Sequence, residues 1–235
     1  MARHLDINIR SKHRSYVPRP LILEEKVKPI KFLIYTVAIG KIYGELAHML
    51  KVSCAKKGYN LFILNEKHGK DPFKLRMQIA DFINIEEFDW IIYIDADCLV
   101  FGDITKLLMS KIVVQKDSLS YLSNLDKIKR WKNNYNIIYQ HDLDKPGINS
   151  GGFVLPRKFY YLLIEWQRLY NKTGGTLVDC YSDQVTLNFL LYKDFINQFI
   201  VTDSISYLLR PGTIIAHYYG RKYKIMRSDF IRYIN

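Results

Sequence analysis

Asp95 and Asp97 stand one alanine apart in DWIIYIDADCLVFGDI (89–104), a stretch that is otherwise mostly apolar. Along a strand, residues i and i+2 point to the same face, so both carboxylates would project together and Ala96 would face the other way. Like charges held side by side repel, and burying them is costly without compensation. A divalent cation supplies that compensation. Ligands of open α/β sheets bind beyond the carboxyl ends of the strands, and this pair falls late in its strand. The plainer alternative is that the aspartates open a loop or cap the next helix. The apolar residues on both sides weigh against a casual turn.

The surrounding elements must place that pair. A first strand reads over 30–39 and ends at Gly40. YGELAHMLKVSCAKKG (43–58) has helical spacing, with Leu46, Met49, Leu50 and Cys54 on one face and Gly58 as its stop. A short strand follows over 60–65. The spacing predicts a helix over 71–85, with Asp71 as N-cap and Pro72 at its first position. WIIYIDADCLV (90–100) is the next strand. This β-α-β-α-β order, with strands apolar on both faces, predicts an α/β domain whose mostly parallel sheet carries helices on both sides. Later come a strand at 110–115, a polar, loop-rich segment at 126–147, and a strand at 148–156 with Gly151 and Gly152 near its start. A helix over 157–175 ended by Gly174, a helix over 182–195 capped by Ser182 or Asp183, and a strand within 213–220 complete the chain.

The 235 residues allow one large domain or two small ones. We expect a basic, proline-bearing extension over 1–28 and one domain over 29–235. The net charge of +12 points to an anionic partner such as nucleic acid, a phosphate-bearing small molecule or a membrane surface. Cys54, Cys98 and Cys180 form no CxxC pair, which argues against a disulfide framework or zinc site and favours a reducing compartment. No apolar run has the length of a membrane span, and residues 1–20 lack the apolar core of a secretory signal. A cytoplasmic protein is expected. The C-terminal YYGRKYKIMRSDFIRYI mixes Lys and Arg with Tyr, Ile and Phe. It suits either a helix on an anionic membrane or a basic tail packed on the domain.

WIIYIDADCLVFGDI resembles the D-x-D segment of GT-A glycosyltransferases. More narrowly, it is similar to the retaining family 8 enzymes, which include glycogenin and bacterial lipooligosaccharide galactosyltransferases. INSGGFVL (148–155), SDQVTLNFLL (182–191) and IIAHYYG (214–220) follow in that family's order, so the resemblance runs from residue 30 to about 222. It implies a single Rossmann-like GT-A domain that binds a nucleotide-diphosphate sugar, expected to be UDP-linked, and passes the sugar to a glycan or lipid-linked acceptor. Carried over by position, Asp95, Asp97 and His217 would hold Mn²⁺. Carboxylates suit Mg²⁺ as well, and the imidazole favours Mn²⁺. Thr36, Val37 and Ala38 would lie along base and ribose, and Tyr43 would stack on the base or merely cover the start of its helix. Ala96 would lie between the metal ligands at the donor. Lys74 or Arg76 would sit near the donor, and spacing does not choose between them. Asn149, Ser150 and Gly151 match the family's N-[SA]-G segment, where the Asn amide would bond sugar hydroxyls. Asp183 and Gln184 match its D-Q pair, which faces the transferred sugar. Gly220 and Lys222 fall where the family has G-x-x-K, but its lysine position is occupied by Tyr223, and the following Pro and Trp are absent. Lys222 or Lys224 would have to replace that lysine after a small shift.

Two other readings stay open at this point. An inverting GT-A transferase or a sugar nucleotidyltransferase could share the sheet, with Asp183 as a general base. The charge prompts a basic nucleic-acid-binding module, but the basic residues are spread and no nucleic-acid motif is present. No nucleic-acid partner is therefore expected.

Overall fold

Alternation along the strands builds two apolar layers. The computed structural model describes residues 29–120, 145–172, 182–220 and 222–235. In β1 (Phe32–Val37), Tyr35 and Val37 enter one layer and Ile34 the other. In β3 (Trp90–Ile94), Ile91 and Tyr93 enter the first layer, and Ile92 and Ile94 the second. Both faces of the sheet are therefore covered, which explains the unbroken apolar runs.

The second layer is closed by α1 (Lys41–Lys56), which buries Leu50 and Cys54 there. Gly40 precedes it at φ 85°, a left-handed conformation that glycine enters without steric cost. The first layer is closed by α3 (Tyr161–Lys172) and α4 (Ser182–Asp194). Leu162, Leu163, Trp166 and Tyr170 form the inward stripe of α3. Most of α4 is buried on every side. Its polar residues are therefore bonded internally: Asn188 Oδ1 accepts from Ile148 N at 2.9 Å, and Nδ2 donates to the carbonyls of Ile148 and Gln184 at 2.6 and 2.8 Å.

Among the described residues, the main sheet runs β2 (Leu61–Leu64), β1, β3, β6 (Pro146–Pro156), β5 (Ile112–Ser120), β7 (Phe199–Thr202). The pairs β2–β1, β1–β3 and β5–β7 are parallel, whereas β6 runs against both its neighbours. The sheet is thus mostly parallel, as expected, with one reversed strand in its middle. A smaller sheet orders β4 (Cys98–Val100), β9 (Ile215–His217) and β8 (Ile205–Tyr207).

Two expectations are corrected. Residues 90–100 are two strands, not one. β3 ends at Ile94, the chain turns through Asp95, Ala96 and Asp97, and β4 then pairs with β9 in the other sheet. The aspartates occupy the place where the chain leaves one sheet for the other, so a turn rather than a pleat sets their direction. The helix expected over 71–85 begins as predicted: Asp71 accepts from the amides of Phe73 and Lys74, and Pro72 takes the first position of α2 (Pro72–Leu75). It stops after one turn and gives way to short 3₁₀ turns at Ile79–Asp81 and Ile85–Glu87. Tyr35 OH donates to the Arg76 carbonyl at 2.6 Å, and the Arg76 side chain is drawn inward. This tertiary demand outweighs the local helical preference.

The C-terminal helix α5 (Tyr223–Ile234) packs on α1 and buries Met226. Tyr218 OH donates to Asp229 at 2.8 Å, and Arg227 pairs with Glu45 at 2.9 Å. Ile225, Ile231 and Ile234 stay exposed. Cys54 and Cys98 are buried and free, and no helix among the described residues is long and apolar enough to cross a membrane. Residues 1–28, Cys180, the Gly174 helix stop and most of the polar segment at 126–147 lie outside the described residues.

The Asn188 bonds tie α4 to β6 without any water-accessible alternative. Asn188→Ala is expected to destabilise the protein by about 2–4 kcal/mol, because it strands buried backbone groups of Ile148. Urea unfolding should show a lower midpoint at unchanged slope. An unchanged midpoint would refute this account.

Candidate active site

The end of β3, the first half of β6, the start of α4 and the end of β9 converge on a cavity of about 480 Å³. Its size is ordinary for a small-ligand site. It is lined by Val37, Tyr43, Arg76, Asp95, Ala96, Asp97, Asn149, Ser150, Asp183, Gln184, His217 and Gly220. Thr36 and Ala38 are buried beside it without lining it, and Lys74, Gly151 and Lys222 also fall outside its lining. Of the two basic residues that spacing left open, Arg76 therefore belongs to the site. Ile39, Pro72, Phe73, Tyr93, Tyr219 and Tyr223 line it without having been anticipated.

Arg76 is the electrostatic centre. It is only 6% exposed, and its guanidinium remains charged at any working pH. Nη1 lies 2.8 Å from Asp183 Oδ2 and 2.8 Å from Ser150 Oγ, while Nη2 lies 3.3 Å from Asp95 Oδ1. Ser150 Oγ donates to Asp183 Oδ2 at 2.8 Å. Complete burial raises the Asp183 carboxyl above its usual range, and Arg76 and Ser150 offset only part of that rise. Asp95 also accepts from Tyr93 OH at 2.5 Å.

On the other side of the turn, His217 Nε2 lies 3.2 Å from Asp97 Oδ1 and 3.8 Å from Asp95 Oδ2. It is fully buried and, despite this proximity, lacks hydrogen-bond alignment with any acceptor. Burial disfavours a charged His217, but Asp97 and then Asp95 outweigh burial and raise its pKa above 6.5. The imidazolium–Asp97 attraction thus stabilises the cation-free protein below pH 6.5 and is lost as pH rises through the raised pKa. A proton and a cation would compete for the same nitrogen.

These groups suit a divalent ion. Two carboxylates and an imidazole nitrogen form a donor set for Mn²⁺ or Mg²⁺. A Cβ on Gly151 would come within 2.4 Å of Asp95 Oδ2 and 2.5 Å of His217 Cε1, so only glycine lets β6 pass beneath this cluster. Cys98 also lies near Asp97 and His217. Burial holds its thiol well above the ordinary range, and it belongs to the apolar core, so Asp95 is the better third donor.

A second network orders the opposite wall. Gln184 Nε2 donates to Asp117 Oδ2 at 2.8 Å and its Oε1 accepts a longer bond from Ser150 N at 3.4 Å, which together fix the direction of the amide oxygen and leave it a second lone pair. Tyr207 OH donates to Asp117 Oδ1 at 3.0 Å and accepts from Asn149 Nδ2 at 2.9 Å. Asn149 Oδ1 accepts from Gly151 N at 2.7 Å. The Asn149 amide, expected to meet sugar hydroxyls, thus has both ends bonded within the protein. Asp117 and Tyr207 carried no local signal; only the pairing of distant strands brings them to Gln184. Burial, and then the neighbouring Tyr223 hydroxyl, raise the Tyr43 pKa.

The model of the family described as Glycosyl transferase family 8 matches residues 10–153. Solved structures with a similar fold include a glycosyltransferase involved in the glycosylation of the major capsid of PBCV-1. It shares 11% identity over 83% of this chain and 99% of its own, with a TM-score of 0.50. GlyE of Streptococcus pneumoniae TIGR4 shares 16% identity over 87% of this chain, with a TM-score of 0.54. Its apo form shares 14% over 88%, with a TM-score of 0.52. This chain covers 60% and 62% of those two chains. At these identities the likeness is one of fold. No curated protein matches the chain significantly.

The geometry makes Arg76 the counter-charge of a buried carboxylate. Arg76→Met should lower stability by about 3–5 kcal/mol, because Asp183 is left uncompensated. Arg76→Met/Asp183→Leu should recover more than half of that loss. Urea unfolding of the single and double variants measures both, and equal losses in the two would show that the charge pair is not the cause.

Proposed function

This chain belongs to glycosyl transferase family 8, and on that footing we propose that it moves a hexose from a nucleotide-diphosphate sugar, UDP-linked, to a glycan or lipid-linked hydroxyl, with retention and with a divalent cation. It is a glycosyltransferase; the donor, the cation and the stereochemistry are our reading. The observation that carries the reading is the meeting of Asp95, Asp97 and His217 Nε2 at one end of a cavity whose floor is the buried Arg76. Asp95, Asp97 and His217 would hold Mn²⁺, which when bound neutralises negative charge growing on the departing diphosphate.

The protein's own residues would do the rest by position and field. Val37 and Tyr43 offer an apolar edge and a ring to the nucleoside. Gln184, its amide aimed by Asp117, presents the carbonyl oxygen to positive charge developing on the sugar carbon. Asp183 contributes negative potential while held by Arg76 and Ser150. That engagement supports retention over the inverting alternative, since a carboxylate bonded to a buried arginine is a poor general base. In the retaining route, the acceptor hydroxyl attacks from the face the diphosphate leaves, and the leaving phosphate oxygen takes its proton. The exposed Ile225, Ile231 and Ile234, with Lys224, Arg227 and Arg232 on the same helix, support contact with an anionic membrane carrying the acceptor.

Asp97→Asn is expected to cut transfer at least about a hundredfold, with its melting temperature in EDTA close to wild type. Wild-type turnover should vanish in EDTA and return with Mn²⁺. Cation affinity should rise with pH through the raised His217 pKa. Full turnover in EDTA would refute the cation reading.

Proton NMR of the first product formed from an α-linked donor should show an α-linked sugar. A β-linked product would move the enzyme to the inverting class. Gln184→Ala should lower turnover more than donor affinity, because its dipole acts chiefly when positive charge appears.

A further inference from the structure

Gln115 lies on β5 and does not line the cavity. Its side chain is fully buried, and its Oε1 lies 2.9 Å from His217 Nδ1. A glutamine oxygen can only accept, so with the amide turned this way, its Nε2 left without a hydrogen-bond partner, the contact requires the proton on Nδ1. A neutral imidazole carries one N–H, which leaves Nε2 with its lone pair. Nε2 is the buried nitrogen that faces Asp97 and Asp95 without a hydrogen-bond partner.

The backbone brings Gln115 to this place by an irregularity. Val114 pairs with Phe153, yet the next residue, Gln115, pairs with Asn149. The shift gathers Ser150, Gly151 and Gly152 into a bulge under the site and turns Gln115 towards His217. Bulges beside active sites commonly re-aim side chains in this way. Tyr207 holds the imidazole from one face, with ring centroids 5.7 Å apart and planes 28° from parallel. Ring plane and tautomer are thus set by two different neighbours.

We propose that Gln115 is a positioning residue that locks His217 as the Nδ1–H tautomer and so makes Nε2 a ligand for the divalent cation. The ligand half of this rests on the cation reading above. Partners of this kind on the far nitrogen of a ligating histidine commonly govern metal affinity. Being neutral, Gln115 orients the ring without adding a third negative charge beside Asp95 and Asp97.

Two measurements test it. Long-range ¹H–¹⁵N correlation on metal-free, ¹⁵N-labelled protein, at a pH where His217 is neutral, reads the tautomer directly. His217→Gln assigns the signal. Wild type should carry the proton on Nδ1, and Gln115→Leu should shift it to Nε2 or to a mixture. Electron paramagnetic resonance of free Mn²⁺ then gives the affinity. Gln115→Leu should bind Mn²⁺ about 10- to 100-fold more weakly, while Gln115→Glu, which keeps the acceptor, should bind at least as tightly as wild type. A wild-type proton on Nε2 would overturn the proposal. So would a folded Gln115→Leu with wild-type affinity, or a Gln115→Glu as impaired as Gln115→Leu. A wild-type protein with Nδ1–H that binds no Mn²⁺ would instead sink the cation reading and, with it, the ligand role.

Discussion

The Arg76 guanidinium, almost fully buried and shared among Asp183, Ser150 and Asp95, is the interaction on which the site depends. An unpaired carboxylate in a place as dry as that of Asp183 would shed its charge or unfold its surroundings. Arg76 removes that conflict at one end of the cavity. The consequence is visible in the backbone. α2 is cut to a single turn so that Arg76 can face inward, and Tyr35 caps its carbonyl from the central sheet. A helix that would otherwise continue gives way to an ionic contact formed 107 residues further along the chain.

The carboxylates are compensated in two different ways, and this divides the cavity. Asp183 has its positive partner built in. Asp97 faces an imidazole whose nearer nitrogen lacks a bonding partner, and Asp95 stands between the two groups. One half of the cluster is complete within the protein. The other half has oxygen and nitrogen donors directed at a common space. On the proposed reading, a donor diphosphate and its counter-ion would meet that second half, while the transferred sugar would lie towards Gln184 and Asp183.

The reversed strand β6 makes this arrangement possible. It crosses the middle of the sheet between β3 and β5, so residues from both sequence halves meet along it. Its bulge at Ser150, Gly151 and Gly152 lets the strand pass close below Asp95 and His217, where a single added methyl would collide. The same bulge brings Gln115 beneath the imidazole. The first hundred residues alone would give a parallel sheet with a carboxylate pair at its edge. The reversed strand supplies the wall opposite that pair.

What was legible in the residue order had a short physical range. Apolar runs of strand length, helical spacing at Leu46, Met49, Leu50 and Cys54, and the Asp71–Pro72 start each reflect interactions within a few residues. The class of fold followed from them. The Asp95–Asp97 pair stood out because charges are costly inside an apolar run, and His217, Asp183 and Gln184 were reachable through a motif order. The direction in which the aspartates point was not, since pairing with two different sheets breaks the strand between them. The choice of Arg76 over Lys74 was likewise invisible, because the two lie on one short segment and differ only in which side chain meets Asp183. Gln115, Asp117 and Tyr207 carry no pattern of their own. Their roles arise from hydrogen bonds to residues 58 to 102 positions away. Such contacts depend on strand register and a bulge, which only the assembled sheet decides.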